Sequence, residues 1–285
     1  MATAFMGGEI SRAVVDFAGR LARVGNETLT ARWPEPGREG HRWHGYLETA
    51  RDVALHLNLM LNRLTCELLA GRSLDRPALI CAVHHRAYRD LTGALVAVDD
   101  EEFDRPPDER EWPIRTVISH ITDAELGFSL LIDWAVERSR MGDDRPIEMA
   151  RSLMEPHYER LQDAGDMDAM MSQYESLHRG VISNLLDLAP ADLDAMNVWW
   201  EGYEIPVWFR MHRFEAHLRE HVIQIDKALG MLGRSPTEAE RLARLLHQSL
   251  ADLEVALLFC SSGGTATVVE QAAEFDRCRL LLQSI

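Results

Sequence analysis

The sequence predicts an all-α protein. Nearly every segment repeats its apolar residues at the 3.6-residue period of an amphipathic helix, and no stretch shows the strict alternation of a half-buried strand. Four prolines suit the first turn of a helix, where no N–H partner is needed: Pro77, Pro113, Pro206 and Pro236. Hydrophobic residues make up 46% of the 285 residues, so the chain can bury a sizeable core.

The predicted helices follow one another along the chain. They cover residues 8–24, 46–70, 77–96, 113–138, 147–164, 167–188, 206–230, 236–259 and 266–284. The segment Ser-Pro-Thr-Glu from Ser235 to Glu238 is typical of a capping box, and Gly263 with Gly264 separates the last two helices into a hairpin. Stretches rich in proline, glycine or acidic residues predict loops at 31–43, 99–112 and 139–146.

The charge and the cysteines narrow the classes of function. A formal net charge of -16 is repelled by phosphate backbones and anionic lipid, so we expect neither nucleic-acid nor membrane binding. No apolar run is long enough for a signal peptide or a membrane span. The four cysteines are scattered without a C-x-x-C spacing: Cys66, Cys81, Cys260 and Cys278. We therefore expect a reduced, cytoplasmic protein in which Cys81 is a small buried residue.

Two histidines in the helix at 206–230 have the spacing of metal ligands. His217 and His221 lie four residues apart and project from one helix face, as two imidazoles do when they bind one metal ion. Gln224 follows one turn later on that face and would orient a ligand or a bound water. Among twelve histidines such a pair also arises by chance, as a core or surface pair.

The other histidines have simpler interpretations. His120 lies beside the apolar stripe of the helix at 113–138, and a single histidine there is usually a hydrogen-bonded core residue. Glu175-x-x-His178 is one half of a di-iron motif without its partner, so we interpret it as a solvated helix face. His84 and His85 are adjacent and point in different directions, which indicates structural or exposed residues.

Two motifs together link the chain to a known family. Trp112-Pro113 leads to His120-Ile121, an acidic residue follows at Asp123 or Glu125, and a later helix carries His-x-x-Glu-His-x-x-Gln at His217, Glu220, His221 and Gln224. On these residues, segment 76–232 resembles the DinB-like (DinB/YfiT-like) metal-dependent four-helix bundles. The remaining parts, 1–75 and 233–285, would add an N-terminal helical extension and a C-terminal helical hairpin.

The resemblance implies a metal site. In that family one histidine of the second bundle helix and two of the fourth hold a divalent metal, which maps to His120, His217 and His221. Three neutral imidazoles leave coordination positions open and suit zinc, nickel or iron. Asp123 and Gln224 would support the ligands. The family also implies a long crossover, here residues 139–166, and a homodimer.

The resemblance also suggests an activity. The family includes metal-dependent transferases that use bacillithiol or mycothiol, and a mycothiol-dependent maleylpyruvate isomerase. We therefore expect a transferase or isomerase that acts on a small thiol, with Trp200 and Tyr203 at the mouth of the site, although a packed core edge would explain those aromatics equally well. The alternative is a non-catalytic ligand-binding or stress-response bundle in which a metal is structural or absent.

Overall fold

A computed structural model describes residues 8–32, 49–71, 73–142, 165–198 and 204–259. The helices predicted at 147–164 and 266–284 lie outside these ranges, as do Trp200 and Tyr203 and the two C-terminal cysteines, Cys260 and Cys278. The three histidines predicted to bind metal all lie within them.

The all-α prediction is confirmed. The helices are α1 (Glu9–Leu21), α2 (Asn26–Thr30), α3 (Ala50–Leu69), α4 (Arg76–Leu95), α5 (Asp100–Asp104), α6 (Ile114–Met141), α7 (Met167–Leu186), α8 (Val207–Met231) and α9 (Glu238–Phe259). Each long helix ends within a few residues of its predicted limits, because the apolar period continues over several turns. No helix in the described parts of the chain is both long and apolar enough to cross a membrane.

Several short elements were not predicted. They are α2, α5, a 3-10 helix at Pro190–Asp194, and an antiparallel pair formed by β1 (Met196–Val198) and β2 (Glu204–Pro206). A strand of three residues is too short to show a two-residue alternation, so periodicity does not reveal it.

Local side-chain chemistry explains where helices begin and end. Pro113 is the residue before the first turn of α6, and Gly142 ends that helix with a φ of 62°, which glycine adopts without strain. The capping box of α9 is two residues later than predicted: the Glu240 amide donates to Thr237 Oγ1 at 3.2 Å, and the Thr237 amide donates to Glu240 Oε2 at 3.1 Å. The prediction of a capping box at Ser235–Glu238 was wrong. The Thr-x-x-Glu segment from Thr237 to Glu240 fits the same pattern and leaves Pro236 outside the helix.

One compact unit contains α1, α2, α3, α9 and residues 89–97, which include the last part of α4. Within it α9 packs along both α1 and α3. Its core includes the buried residues Val14, Phe17, Leu57, Leu61 and Leu250. Segments from both ends of the sequence thus share one hydrophobic core.

The second unit contains residues 74–88, which include the first part of α4, together with α5, α6, α7, the strand pair and α8. Here α6 packs against both α7 and α8. Side chains from α4 also reach α7 and α8, since His85 contacts His178 and His84 stacks on Phe214. The four long helices form the predicted bundle, and all candidate site residues within the described ranges lie in it.

Candidate metal centre

Helices α6 and α8 bring the three predicted histidines together. The buried stripe of α8 includes Phe214, Leu218 and Ile225, which fixes the rotation of the helix against the bundle. His221 lies on that stripe with 7% of its surface exposed, whereas His217 lies at the edge and is partly exposed. His120 of α6 is the most exposed of the three. The cluster therefore has one buried member and two members that solvent can reach.

The ring nitrogens of the three histidines converge. His217 Nε2 lies 3.2 Å from His120 Nε2 and 3.0 Å from His221 Nε2. Two donors bound to one metal at about 2.0–2.1 Å lie about 2.8–3.4 Å apart, from right-angled to tetrahedral geometry. The observed separations fall in that range, so this group could hold a divalent ion.

Gln224 sets the orientation and the tautomer of one histidine. Its Oε1 lies 2.8 Å from His221 Nδ1, and because an amide oxygen only accepts, His221 donates from Nδ1–H. A neutral His221 then has its lone pair on Nε2, which is the nitrogen that faces His217. Metal-binding imidazoles usually have such an outer partner, so the contact fits the supporting role predicted for Gln224.

One comparison with known proteins identifies a family. The family model of the DinB superfamily matches residues 84–225, a range that contains His120, His217, His221 and Gln224. The chain belongs to the DinB superfamily. Neither the curated proteins nor the solved structures provide a match.

Electrostatics favour neutral ligands in this DinB-like bundle. Burial, the neighbouring His221 and His120, and the charge of Arg213 lower the pKa of His217 to about 3. Burial and His221 also lower the pKa of His120. Imidazoles bind metal only when deprotonated, so both side chains are in the binding form at neutral pH.

Aromatic rings surround the three histidines. The Trp112 ring meets His120 edge-on at 5.4 Å between centroids and is 44% exposed. Phe128 approaches His217 at 5.7 Å. Trp112 thus lies beside the exposed side of the cluster. The sequence analysis identified this residue only as part of a helix start.

Asp123 is partly buried, which raises its pKa, and its supporting role stays a prediction.

The bundle contains a second group of donors that the sequence analysis missed. His84, Glu125 and His178 are each at most 4% exposed, and their donor atoms lie within 4.8 Å of one another. The interpretation of His178 as part of a solvated face was wrong. His85 is fully buried as well.

A signal for this second group was present in the sequence. The buried residues of α7 follow one helical stripe, Met170, Tyr174, His178, Val181 and Leu185. Glu125 likewise follows Ile118, Ile121 and Thr122 on the buried face of α6. A polar residue in an apolar stripe predicts a buried polar contact, because such groups must find partners.

Cys81 fits its predicted role. It is 2% exposed, and burial, with a smaller effect of Asp75, raises the pKa of its thiol to about 12. A thiol of that pKa is protonated at neutral pH and is not a nucleophile.

Proposed function

We propose that this protein is a metal-dependent enzyme in which His120, His217 and His221 hold a divalent ion, either zinc, nickel or iron. The observation that carries the proposal is the convergence of three histidines at a partly exposed edge of the bundle, where His217 Nε2 lies 3.2 Å from His120 Nε2 and 3.0 Å from His221 Nε2. Three protein ligands at an exposed position are typical of catalytic sites, since structural sites are usually closed by a fourth ligand.

We propose further that the reaction is a transfer or isomerisation that uses a small thiol of the mycothiol or bacillithiol kind. Support comes from the resemblance to DinB-like thiol transferases. A bound divalent ion would lower the pKa of a thiol that coordinates it, so that this thiol is deprotonated at neutral pH.

The chain's own residues have defined parts in this proposal. Gln224 holds the Nδ1 proton of His221 and so keeps the Nε2 lone pair directed at the cluster. Phe128 covers one side of His217, which limits water there. Trp112 presents an exposed ring next to His120 and would stack on the apolar part of a substrate. Trp200 and Tyr203 remain proposed residues of the substrate mouth, and we propose a cytoplasmic homodimer.

The first test is metal analysis of tagless protein purified without chelators. We expect His217→Ala/His221→Ala to lose about one metal ion per chain relative to the wild type. His212→Ala is the matched control, because His212 is an exposed histidine of the same helix that lies outside the cluster, and it should retain its metal. An unchanged metal content in the double variant would refute the site.

The second test separates an enzyme from a binding protein. Protein stripped of metal should lose transfer of a low-molecular-weight thiol to an electrophile while its circular dichroism remains helical. A large fall in melting temperature without any thiol transfer by the loaded protein would instead favour the ligand-binding alternative with a structural metal.

A further inference from the structure

We propose that His84, Glu125 and His178 form a second, fully buried site for one divalent transition-metal ion. The three side chains come from α4, α6 and α7 within one compact unit. Two imidazoles and one carboxylate are a donor set that binds zinc, iron, cobalt and related ions. This inference concerns residues other than the three-histidine cluster and does not depend on the proposed activity.

The distances within the group suit a shared ion. His178 Nδ1 lies 2.7 Å from Glu125 Oε1, and His84 Nε2 lies 3.4 Å from Glu125 Oε2. Donors on one ion at bond lengths of about 2.0–2.2 Å lie about 3 Å apart, which these two separations bracket. Small side-chain shifts would therefore seat a metal without moving the helices.

His84 is the strongest indication of a ligand. It is 1% exposed, yet within the described parts of the chain its Nδ1 has no hydrogen-bond partner, and its Nε2 has only the long 3.4 Å contact with Glu125 Oε2. Its ring stacks on Phe214 at 4.8 Å and meets His178 edge-on at 4.6 Å, so packing holds the imidazole beside Glu125. A buried ring nitrogen with only a long contact is unfavourable, and a metal ion on Nε2 would replace that contact with a bond.

The surrounding residues fit the outer shell of a metal site. Tyr174 Oη donates to Glu125 Oε2 at 2.5 Å and orients the carboxylate. His178 Nε2 lies 3.2 Å from His85 Nδ1. With a metal on Nδ1, His178 carries its proton on Nε2, where it can donate to His85. Partners of this kind usually fix the tautomer and orientation of metal ligands.

A purely hydrogen-bonded network is the competing explanation. It accounts for Glu125, Tyr174 and His178, which bond to one another. Among the described residues it leaves His84 Nδ1 without a partner, gives His84 Nε2 only the 3.4 Å contact with Glu125, and gives the buried carboxylate only imidazole neighbours as counter-charge. A divalent ion would bind His84 Nε2 and supply the charge. Because all three donors are buried, a substrate has no access to the ion, and we assign it a structural role although it has three protein ligands and not four.

The experiment uses the full chain with the other cluster removed, His120→Ala/His217→Ala/His221→Ala. After reconstitution with zinc or cobalt and desalting, we expect this variant to retain about one metal ion per chain and to melt at a higher temperature than the stripped protein. Adding His84→Phe, which preserves the stack on Phe214, should remove that ion. Adding His247→Gln instead is the matched control, since His247 is a buried histidine outside both groups, and it should leave the ion in place.

Each result decides whether the group of His84, Glu125 and His178 binds a metal ion. A folded triple variant that binds no zinc or cobalt would overturn the proposal, as would metal that survives His84→Phe. If the triple variant does not fold, the wild type is compared with the single His84→Phe variant, which should fall from about two metal ions per chain to about one. Metal retained by the triple variant supports the second site even if no thiol transfer is ever detected.

Discussion

A buried ion pair in the unit of α1, α3 and α9 allows a quantitative test of the fold. Arg89 Nε donates to Glu254 Oε2 at 2.7 Å, and its Nη2 donates to Oε1 at 2.6 Å. The two side chains are 4% and 0% exposed. The bidentate geometry satisfies both groups, so removing one charge leaves the other uncompensated in the interior. The perturbation is Glu254→Gln, which preserves shape and removes the charge.

The expected loss is large. Leaving one member of a buried pair alone costs about 3–5 kcal/mol in the free energy of unfolding, against a typical total of about 5–15 kcal/mol. With a urea dependence of about 2 kcal/mol per molar, the unfolding midpoint should fall by about 2 M.

Urea unfolding followed by circular dichroism measures the effect. The matched control is Glu67→Gln, which breaks the exposed pair of Arg63 and Glu67, whose side chains are 69% and 41% exposed. That change should cost less than about 0.5 kcal/mol, because water screens surface pairs. The double variant Arg89→Met/Glu254→Leu should recover most of the lost free energy of unfolding, since neither charge of the pair then remains in the interior.

Two results would refute this reasoning. One is a cost for Glu254→Gln no greater than that for Glu67→Gln. The other is a double variant as unstable as the single one, which would mean that the pair contributes through packing and not through charge.

Three further predictions concern packing, pH and the metal site. A Cβ at Gly93 would lie 3.0 Å from the backbone of α9; Gly93→Ala should therefore destabilise the protein by about 1–3 kcal/mol in urea unfolding. Gly180→Ala in α7, where a Cβ meets nothing within 4 Å, should instead stabilise it by about 0.5–1 kcal/mol, and equal effects would contradict the close approach. Burial, with a smaller effect of a neighbouring arginine, lowers the pKa of His247 to about 3, below the unfolded value of about 6.5. The contribution of the neutral imidazole to the free energy of unfolding is therefore complete above pH 6.5 and is lost as the pH falls towards 3. Between pH 7 and 4 the free energy of unfolding should fall by up to about 3 kcal/mol more in the wild type than in His247→Gln, and parallel curves of this free energy against pH would argue against a neutral buried imidazole. Gln224→Leu should weaken metal binding at His221 about 10- to 100-fold in a competition titration with a chelator, whereas Gln224→Glu, which keeps the acceptor, should bind nearly as well as wild type.

The sequence predicted most of the helices and the pair of metal ligands on α8 because both depend on local periodicity. His217, His221 and Gln224 share one helix, so their common face follows from spacing alone. His120 is on another helix, and its pairing with them came from the family resemblance. Nothing in the spacing of residues 120 and 217 shows that their Nε2 atoms lie 3.2 Å apart.

The features that were missed depend on contacts between distant segments. The His84–Glu125–His178 group joins three helices. The apolar stripes of α6 and α7 indicate that Glu125 and His178 are buried, but spacing within one helix cannot show that the three side chains meet. The capping register of α9 was misread because two overlapping Ser/Thr-x-x-Glu patterns occur in one segment. The common core of α1, α3 and α9 likewise follows from long-range packing of apolar stripes that no local motif specifies.

The two donor groups share helices, which leads to a last prediction. Helix α6 carries both His120 and Glu125, and on α8 the ring of Phe214 stacks on His84 one turn before His217. Phe128 contacts both Phe214 and His217, at 5.4 and 5.7 Å. An ion at the buried group would fix these helices and so hold His120 and His217 at their separation.

Metal at the buried group should therefore strengthen binding at the exposed cluster. His84→Phe should weaken the affinity of the three histidines for cobalt by about fivefold or more, measured by the visible absorption of the bound ion. His247→Gln should leave that affinity unchanged. Equal affinities in His84→Phe and wild type would show that the exposed cluster is held in place by helix packing alone, because an ion that orders α6 and α8 must by linkage favour a second ion bound to the same helices.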